Sequence, residues 1–299
     1  MSRTSVALAL VAFVSSTARA DDPPFVPWTS LLPGLSAGYD PSSENLCKKG
    51  HPQCVSSVIH EMDKRFTKLA KVCDHDALFA LVYLRTTEEY QRASLEPGFF
   101  SDPAFLNHEA AVFAAYYFDA WDAWHGGFKS AVPAAWSIAF DAAGKKQVKG
   151  LGNIFLGMNA HIQRDLPFVL DAIGLVKPDG SSRKPDHDKV NEFLNRVADE
   201  ALPEAARRFD PSIQGTSAPG ILLDDFLNFQ VVAAWRELAW RHAELLAEAP
   251  TPAARALVAA EIEAYAASQA TLLRLAFGYG LLGGSTSRDA WCAVHNFDP

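Results

Sequence analysis

His161 and Asp165 lie four residues apart in the stretch Gly157-Met158-Asn159-Ala160-His161-Ile162-Gln163-Arg164-Asp165-Leu166-Pro167. On a helix that spacing puts an imidazole and a carboxylate on one face, about a turn apart. Ile154, Phe155, Met158, Ile162 and Leu166 recur around them at helical spacing, so this face is expected to be buried. A buried polar pair has to be hydrogen-bonded, ion-paired or metal-bound. Imidazole and carboxylate both ligate zinc, which needs three or four ligands. Asp119 and Asp188, on other helices, are the candidates for the missing ones. A divalent metal such as zinc would acidify a bound water and polarise a phosphoryl group. Arg236 would then take the phosphate charge as the catalytic cation.

One expectation is therefore a metal-dependent hydrolase acting on a small-molecule or phosphoester substrate. The other is a non-enzymatic helical binding protein in which His161 and Asp165 form a buried structural polar network. A third ligand near His161 separates the two. The supporting residues each have an ordinary explanation as well. Asp119 and Asp122 fit solvent-face charges, and His125 beside Gly126-Gly127 fits a helix end. Asp186 and Asp188 fit helix capping and dipole compensation. Arg236, Glu237, Trp240 and Arg241 fit an ion-pair lattice packed with aromatic stems. The chain has no G-x-S-x-G elbow, P-loop, G-x-G-x-x-G or H-E-x-x-H motif. Its many aromatics would suit an apolar tunnel, although a helical core uses them equally.

The elements that must position these groups read as helices throughout. Val55, Val58, Ile59, Met62, Phe66, Leu69 and Val72 mark a first helix. Asp74 is the expected cap of a second, and Asp102-Pro103 opens a third that Gly126-Gly127 stops. A short helix follows Pro133. The helix carrying His161 is expected from about Val148 to Leu175, with a kink at Pro167. Gly150, Gly152 and Gly157 weaken it unless another backbone packs closely there. Further helices are expected over 187–201, 221–248 and 252–282, with 207–219 loop-like. No segment alternates as a strand does. The class is all-α, a single multi-helix, bundle-like domain over 53–299 behind an extended N-terminal arm, 21–52.

Residues 1–20 read as a secretory signal peptide: Arg3, the apolar run Val6 to Val14, and Ala18-Arg19-Ala20 as an A-x-A cleavage site. The expected location is secreted or periplasmic. Cleavage removes Arg3 and Arg19 and no acid, so the formal net charge moves from -8 to -10. Such a surface is a poor one for nonspecific nucleic-acid binding. No transmembrane segment is expected in the mature chain, since the greasiest run, 221–235, is broken by Asp224, Asp225, Asn228 and Gln230. Cys47, Cys54, Cys73 and Cys292 suit two disulfides in an oxidising compartment. Of three possible pairings, Cys47 with Cys54 and Cys73 with Cys292 is favoured, because the second would tie the last residues to the helical body. A Cys-based zinc site is the rival, but no C-x-x-C knuckle is present.

The segment Asn159-Ala160-His161-Ile162…Asp165-Leu166 resembles the N-A-H-I-x-x-D-L signature of the bacterial domain-of-unknown-function family numbered 5995. Similar stretches are Val112 to Ala120, Pro133-Ala134-Ala135-Trp136…Ala139-Phe140, Asp188…Val190-Asn191 and Arg236…Ala239-Trp240, so the likeness covers residues 55 to 280 or so. It implies no activity. A looser likeness is to zinc-dependent phospholipase C and the related single-strand nucleases, which are secreted, all-helical and carry an H-x-x-x-D helix at a zinc cluster. Only His161 and Asp165 match. The mature chain is expected to begin at Asp21 rather than at a zinc-binding Trp, and the next histidine is as far away as His187. Those departures argue against a three-zinc cluster and leave a one- or two-metal site.

Overall fold

Proline, aspartate and buried apolar stripes set the helix boundaries in the computed structural model, which describes residues 47–213, 225–280 and 283–297, without the side chains of 195 and 225–229. Helix α1 (Pro52–Lys71) starts on Pro52 and buries Val55, Val58, Met62, Phe66 and Leu69 of the stripe expected of it, while Ile59 is half-buried and Val72, past the helix end, is exposed. Helix α2 (Ala77–Ser94) is preceded by a turn in which Asp74 Oδ1 accepts from the Asp76 N–H at 3.0 Å. Asp74 thus shapes the turn, and Asp76 rather than Asp74 stands at the cap position. Helix α3 (Pro103–His125) opens as expected, with the Asp102 carboxylate accepting from the Phe105 N–H at 3.1 Å. Then come α4 (Ala134–Gly144), α5 (Gly150–Asn159), a π-helical turn (Ala160–Asp165) and α6 (Leu166–Ile173). The chain continues through α7 (Lys184–Lys189), α8 (Asn191–Arg208), α9 (Asp225–Glu248), α10 (Pro252–Ala276) and α11 (Thr286–His295). Among the described residues there is no strand, only isolated bridges. The chain is all-α.

The largest apolar cluster joins α1, α2, α4 and α5 through Phe66, Leu78, Leu81, Trp136 and Leu156. A second joins α3, α6 and α8 through Val112, Val169 and Phe193, and a third joins α6 to α9 through Leu170 and Trp240. Helix α9 packs most extensively on α6, and α10 on α4 and α5. The π turn is surrounded by α4, α5, α6, α9 and α10, so the residues it carries sit at the centre of the packing.

Several boundaries differ from the expectation, each for a tertiary reason. Helix α8 runs through Pro203 to Arg208, because Ala205, Ala206 and Phe209 are buried in the main cluster. Helix α10 stops at Ala276 instead of reaching 282. The chain there is drawn against residues 147–149, with the Lys149 N–H donating to Phe277 O at 3.0 Å and the Tyr279 N–H to Gln147 O at 3.2 Å. Helix α11 was not expected at all. It is held to the body by the Cys73–Cys292 disulfide, and Cys47–Cys54 is the other. Both bridges follow the favoured pairing. The expected signal peptide and residues 21–46 of the expected arm lie outside the described residues. No helix among the described residues is long and apolar enough to cross a membrane.

The glycines of α5 are approached by side chains, not by another backbone. A Cβ on Gly150 would meet the Asp210 carboxylate, one on Gly152 would meet Phe277, and one on Gly157 would lie 2.3 Å from Phe79 Cγ. Phe79 therefore reaches the His161 helix at its thinnest point.

Candidate functional site

Pro167 explains the local geometry of the His161 segment. A proline inside an α-helix lacks its N–H and its ring collides with the carbonyl four residues back. The chain loosens into a π turn over Ala160–Asp165 and restarts as α6, with Pro167 in the first turn of the new helix. Such π turns are frequent at functional sites. This one carries both His161 and Asp165, and both are buried, Asp165 completely.

Asp165 is saturated with donors. Its Oδ2 accepts from the Trp136 Nε1–H at 2.8 Å and pairs with His161 Nδ1 at 3.1 Å. Its Oδ1 accepts from the Arg164 Nη1–H at 3.1 Å. A carboxylate held by two other donors is an acceptor toward His161, so the imidazole hydrogen sits on Nδ1 and Nε2 is left as a bare lone pair. Burial depresses the His161 pKa, against the pull of Asp165, and keeps the ring neutral. The ring is clamped as well. It lies flat on Phe113, with centroids 3.5 Å apart and planes within 4°, and meets the edge of Tyr83 at 4.4 Å.

His161 Nε2 has no hydrogen-bond partner. The ring lines a cavity of about 130 Å³ between α2, α3, α8 and α9. Most of the wall is apolar, including Phe79, Phe113, Phe193 and Leu194. Glu109 and Arg236, both buried, also line it, as do the buried phenols Tyr83 and Tyr90. Glu109 Oε2 is also without a partner. Burial pushes the Glu109 carboxyl up to about 7, although Arg236 and Arg183 pull it down. The Arg236 guanidinium is anchored: its Nε–H donates to Asn191 Oδ1 at 2.9 Å and its Nη2–H to the His187 carbonyl at 2.7 Å. A second cavity of about 90 Å³ adjoins the first and shares Val82, Thr86, Met158, Leu194 and Val232 with it.

The structure thus brings His161, Asp165 and Arg236 into one site, and leaves Asp119 and Asp188 out of it. Asp119 is exposed on α3. Asp188 pairs with Lys184 at 2.6 Å, and Lys184 also holds Glu237 at 2.8 Å. Among the described residues no three His, Cys, Asp or Glu side chains come together as a metal site would require. The donor set does not fit the expected zinc, because Asp165 is occupied by Trp136 and Arg164, Asp119 is exposed on α3 and Asp188 is paired with Lys184. Asp186 does cap a helix, but a neighbour's. It accepts from the Ser101 and Asp102 N–H groups at the start of α3, at 2.8 and 2.7 Å.

Glu109, Tyr83 and Phe113 belong to the site and were not singled out from the sequence. Glu109 did leave a signal, since it stands in register with Phe105, Leu106, Val112 and Phe113 on the apolar stripe of α3. A carboxylate in such a stripe is buried at a cost unless something uses it. The arrangement as a whole can accept a hydrogen bond or a proton at His161 Nε2, with Asp165 placed to stabilise the charged ring.

A family model described as "Family of unknown function (DUF5995)" matches residues 55–276. The chain belongs to that family. The match spans every element that builds the cavity, from α2 to α9, so the site lies wholly inside the DUF5995 region. No curated protein and no solved structure matches the chain. The likeness to zinc-dependent phospholipase C and the single-strand nucleases stays confined to His161 and Asp165.

Proposed function

We propose that this DUF5995 member is a binding protein for a small, largely apolar molecule whose polar group docks beside His161. One observation carries the reading. Two buried polar atoms, His161 Nε2 and Glu109 Oε2, lack partners in the structure, and both residues line the same apolar cavity. Leaving such atoms unpaired costs about 1–3 kcal/mol each, which a ligand would recover. A mostly apolar pocket with a few convergent polar groups is the usual form of a small-molecule site. The cavity is close in size to an apolar cavity of roughly 150 Å³ known to admit benzene. Of the two expectations, this is the binding protein, with a polar network that does more than hold the fold. We place it outside the cytoplasm, on the strength of its two disulfides and the A-x-A segment at Ala18-Arg19-Ala20.

The metal-dependent phosphoester hydrolase is the weaker reading. It needs a third ligand at His161 and a free cationic fork at Arg236, and the residues there supply a lone imidazole nitrogen and a guanidinium anchored to Asn191 and His187. The binding reading is tested by thermal unfolding of the purified protein with a panel of small apolar compounds. Ligands that enter should raise the melting temperature in proportion to occupancy. Ala110→Phe, which fills the first cavity from α3, should abolish the shift. If no compound stabilises the protein, or the filled variant responds as the parent does, the reading is wrong.

A further inference from the structure

The polar end of the cavity is organised around His161, whose buried ring lines it. His161 Nε2 is a lone pair, because Asp165 already accepts from Trp136 and Arg164 and must accept from His161 Nδ1 too. Glu109, whose Oε2 is also without a partner, lines the same cavity. The one cation there, Arg236, is held in place by its Nε–H on Asn191 and an Nη2–H on the His187 carbonyl, two of its five N–H groups. A carboxylate or phosphate head docked beside His161 Nε2 would set lone pair against lone pair. An ammonium head would suit those acceptors but would be buried next to the Arg236 guanidinium. An uncharged O–H satisfies the lone pair without either conflict.

The apolar end is long. The second cavity adjoins the first, and Val82, Thr86, Met158, Leu194 and Val232 line both. The Thr86 hydroxyl donates to the Val82 carbonyl at 2.8 Å, within its own helix, and so makes no demand on a ligand. Beyond it the wall is aliphatic and aromatic: Leu151, Ile154, Phe155 and Val197. Scaled from the benzene-sized case, the two spaces together hold on the order of ten non-hydrogen atoms in a row. Building on the reading of this cavity as a ligand site, we infer that its ligand is a straight-chain alcohol or a similarly uncharged O–H amphiphile, with the hydroxyl donating to His161 Nε2 and the chain lying along Met158 and Leu194 into the second cavity.

Titration calorimetry on the purified full chain tests this with four eight-carbon probes: 1-octanol, its isomer 1-methoxyheptane, octanoate and octylammonium. The ether keeps the size and apolarity of the alcohol and loses only the donor. Octanol should bind at least about tenfold more tightly than each of the other three, the order of one charge-free hydrogen bond. His161→Phe should remove the preference, so that octanol and the ether bind that variant with equal affinity. The parent protein alone decides the matter if that variant does not fold. Ether and alcohol binding equally, or octanoate or octylammonium binding more tightly, would overturn the assigned head group while leaving the cavity a ligand site. Failure of all four to bind would overturn the ligand-site reading itself.

Discussion

Trp136 donates its indole N–H to Asp165 Oδ2 at 2.8 Å, and through that bond a residue of α4 sets the proton position on a histidine of the neighbouring π turn. Trp136 is itself almost completely buried, stacked on Phe140 with centroids 5.1 Å apart. Packing and polarity are joined there: the indole fills the core and its one donor orients the carboxylate that orients His161.

Trp136→Phe keeps most of the ring and removes the donor. We expect a loss of about 1–3 kcal/mol in stability, the cost of a buried carboxylate oxygen deprived of a partner. Urea unfolding of the variant and the parent measures it. A change within experimental error would mean that Arg164 and His161 alone satisfy Asp165.

Gly157→Ala should also destabilise, by about 1–3 kcal/mol through overpacking. The new Cβ would lie 2.3 Å from Phe79 Cγ and 2.7 Å from its Cβ, and Phe79 is itself buried. Alanine is the better helix former, so propensity alone points the other way. A variant as stable as the parent or more so would show that Phe79 can retreat.

Glu109 should give stability a pH dependence of definite sign. Its carboxyl is raised from an ordinary 4.5 to about 7 by burial. Between those values the unfolded chain is ionised while the folded chain keeps its proton, so stability falls as pH rises through this window and levels off above it. The histidines that burial holds neutral, among them His161, act in the opposite direction as pH falls below 6.5. Comparing Glu109→Gln with the parent cancels them. The difference should shift in favour of the variant by about 3 kcal/mol from pH 4.5 to pH 7. A difference that is flat with pH would place the Glu109 titration elsewhere.

The two disulfides should contribute unequally. Cys73 and Cys292 are 219 residues apart and Cys47 and Cys54 are 7 apart. On chain entropy alone the long bridge is worth about 5 kcal/mol and the short one about 2 kcal/mol. Replacing each pair by serine and unfolding the variants in urea compares them. The Cys73/Cys292 variant should also expose α11, whose Trp291 and Cys292 meet the body, to rapid proteolysis. Equal losses would mean that native packing, not loop length, governs both.

Much of this protein could be read from local chemistry alone. Helical period, and proline with aspartate at the start of α3, depend on neighbours in the chain, so the class followed from them, whereas the four cysteines left three pairings open and the bridge from Cys73 to Cys292 spans 219 residues. The spacing of His161 and Asp165 likewise placed them together, because a helical turn settles that contact without help from the rest of the molecule. What local chemistry could not supply was everything that joins distant segments. Trp136, rather than a metal, is the partner that completes Asp165, and it comes from 29 positions away. Arg236 reaches the same cavity as His161 while Asp119 and Asp188 face elsewhere, a matter of how α3, α7 and α9 are rotated against the π turn. Glu109 is an ordinary carboxylate by sequence. Only the packing of α2, α3, α8 and α9 around it removes the water that would have kept its pKa low, and only that packing leaves the apolar space it faces.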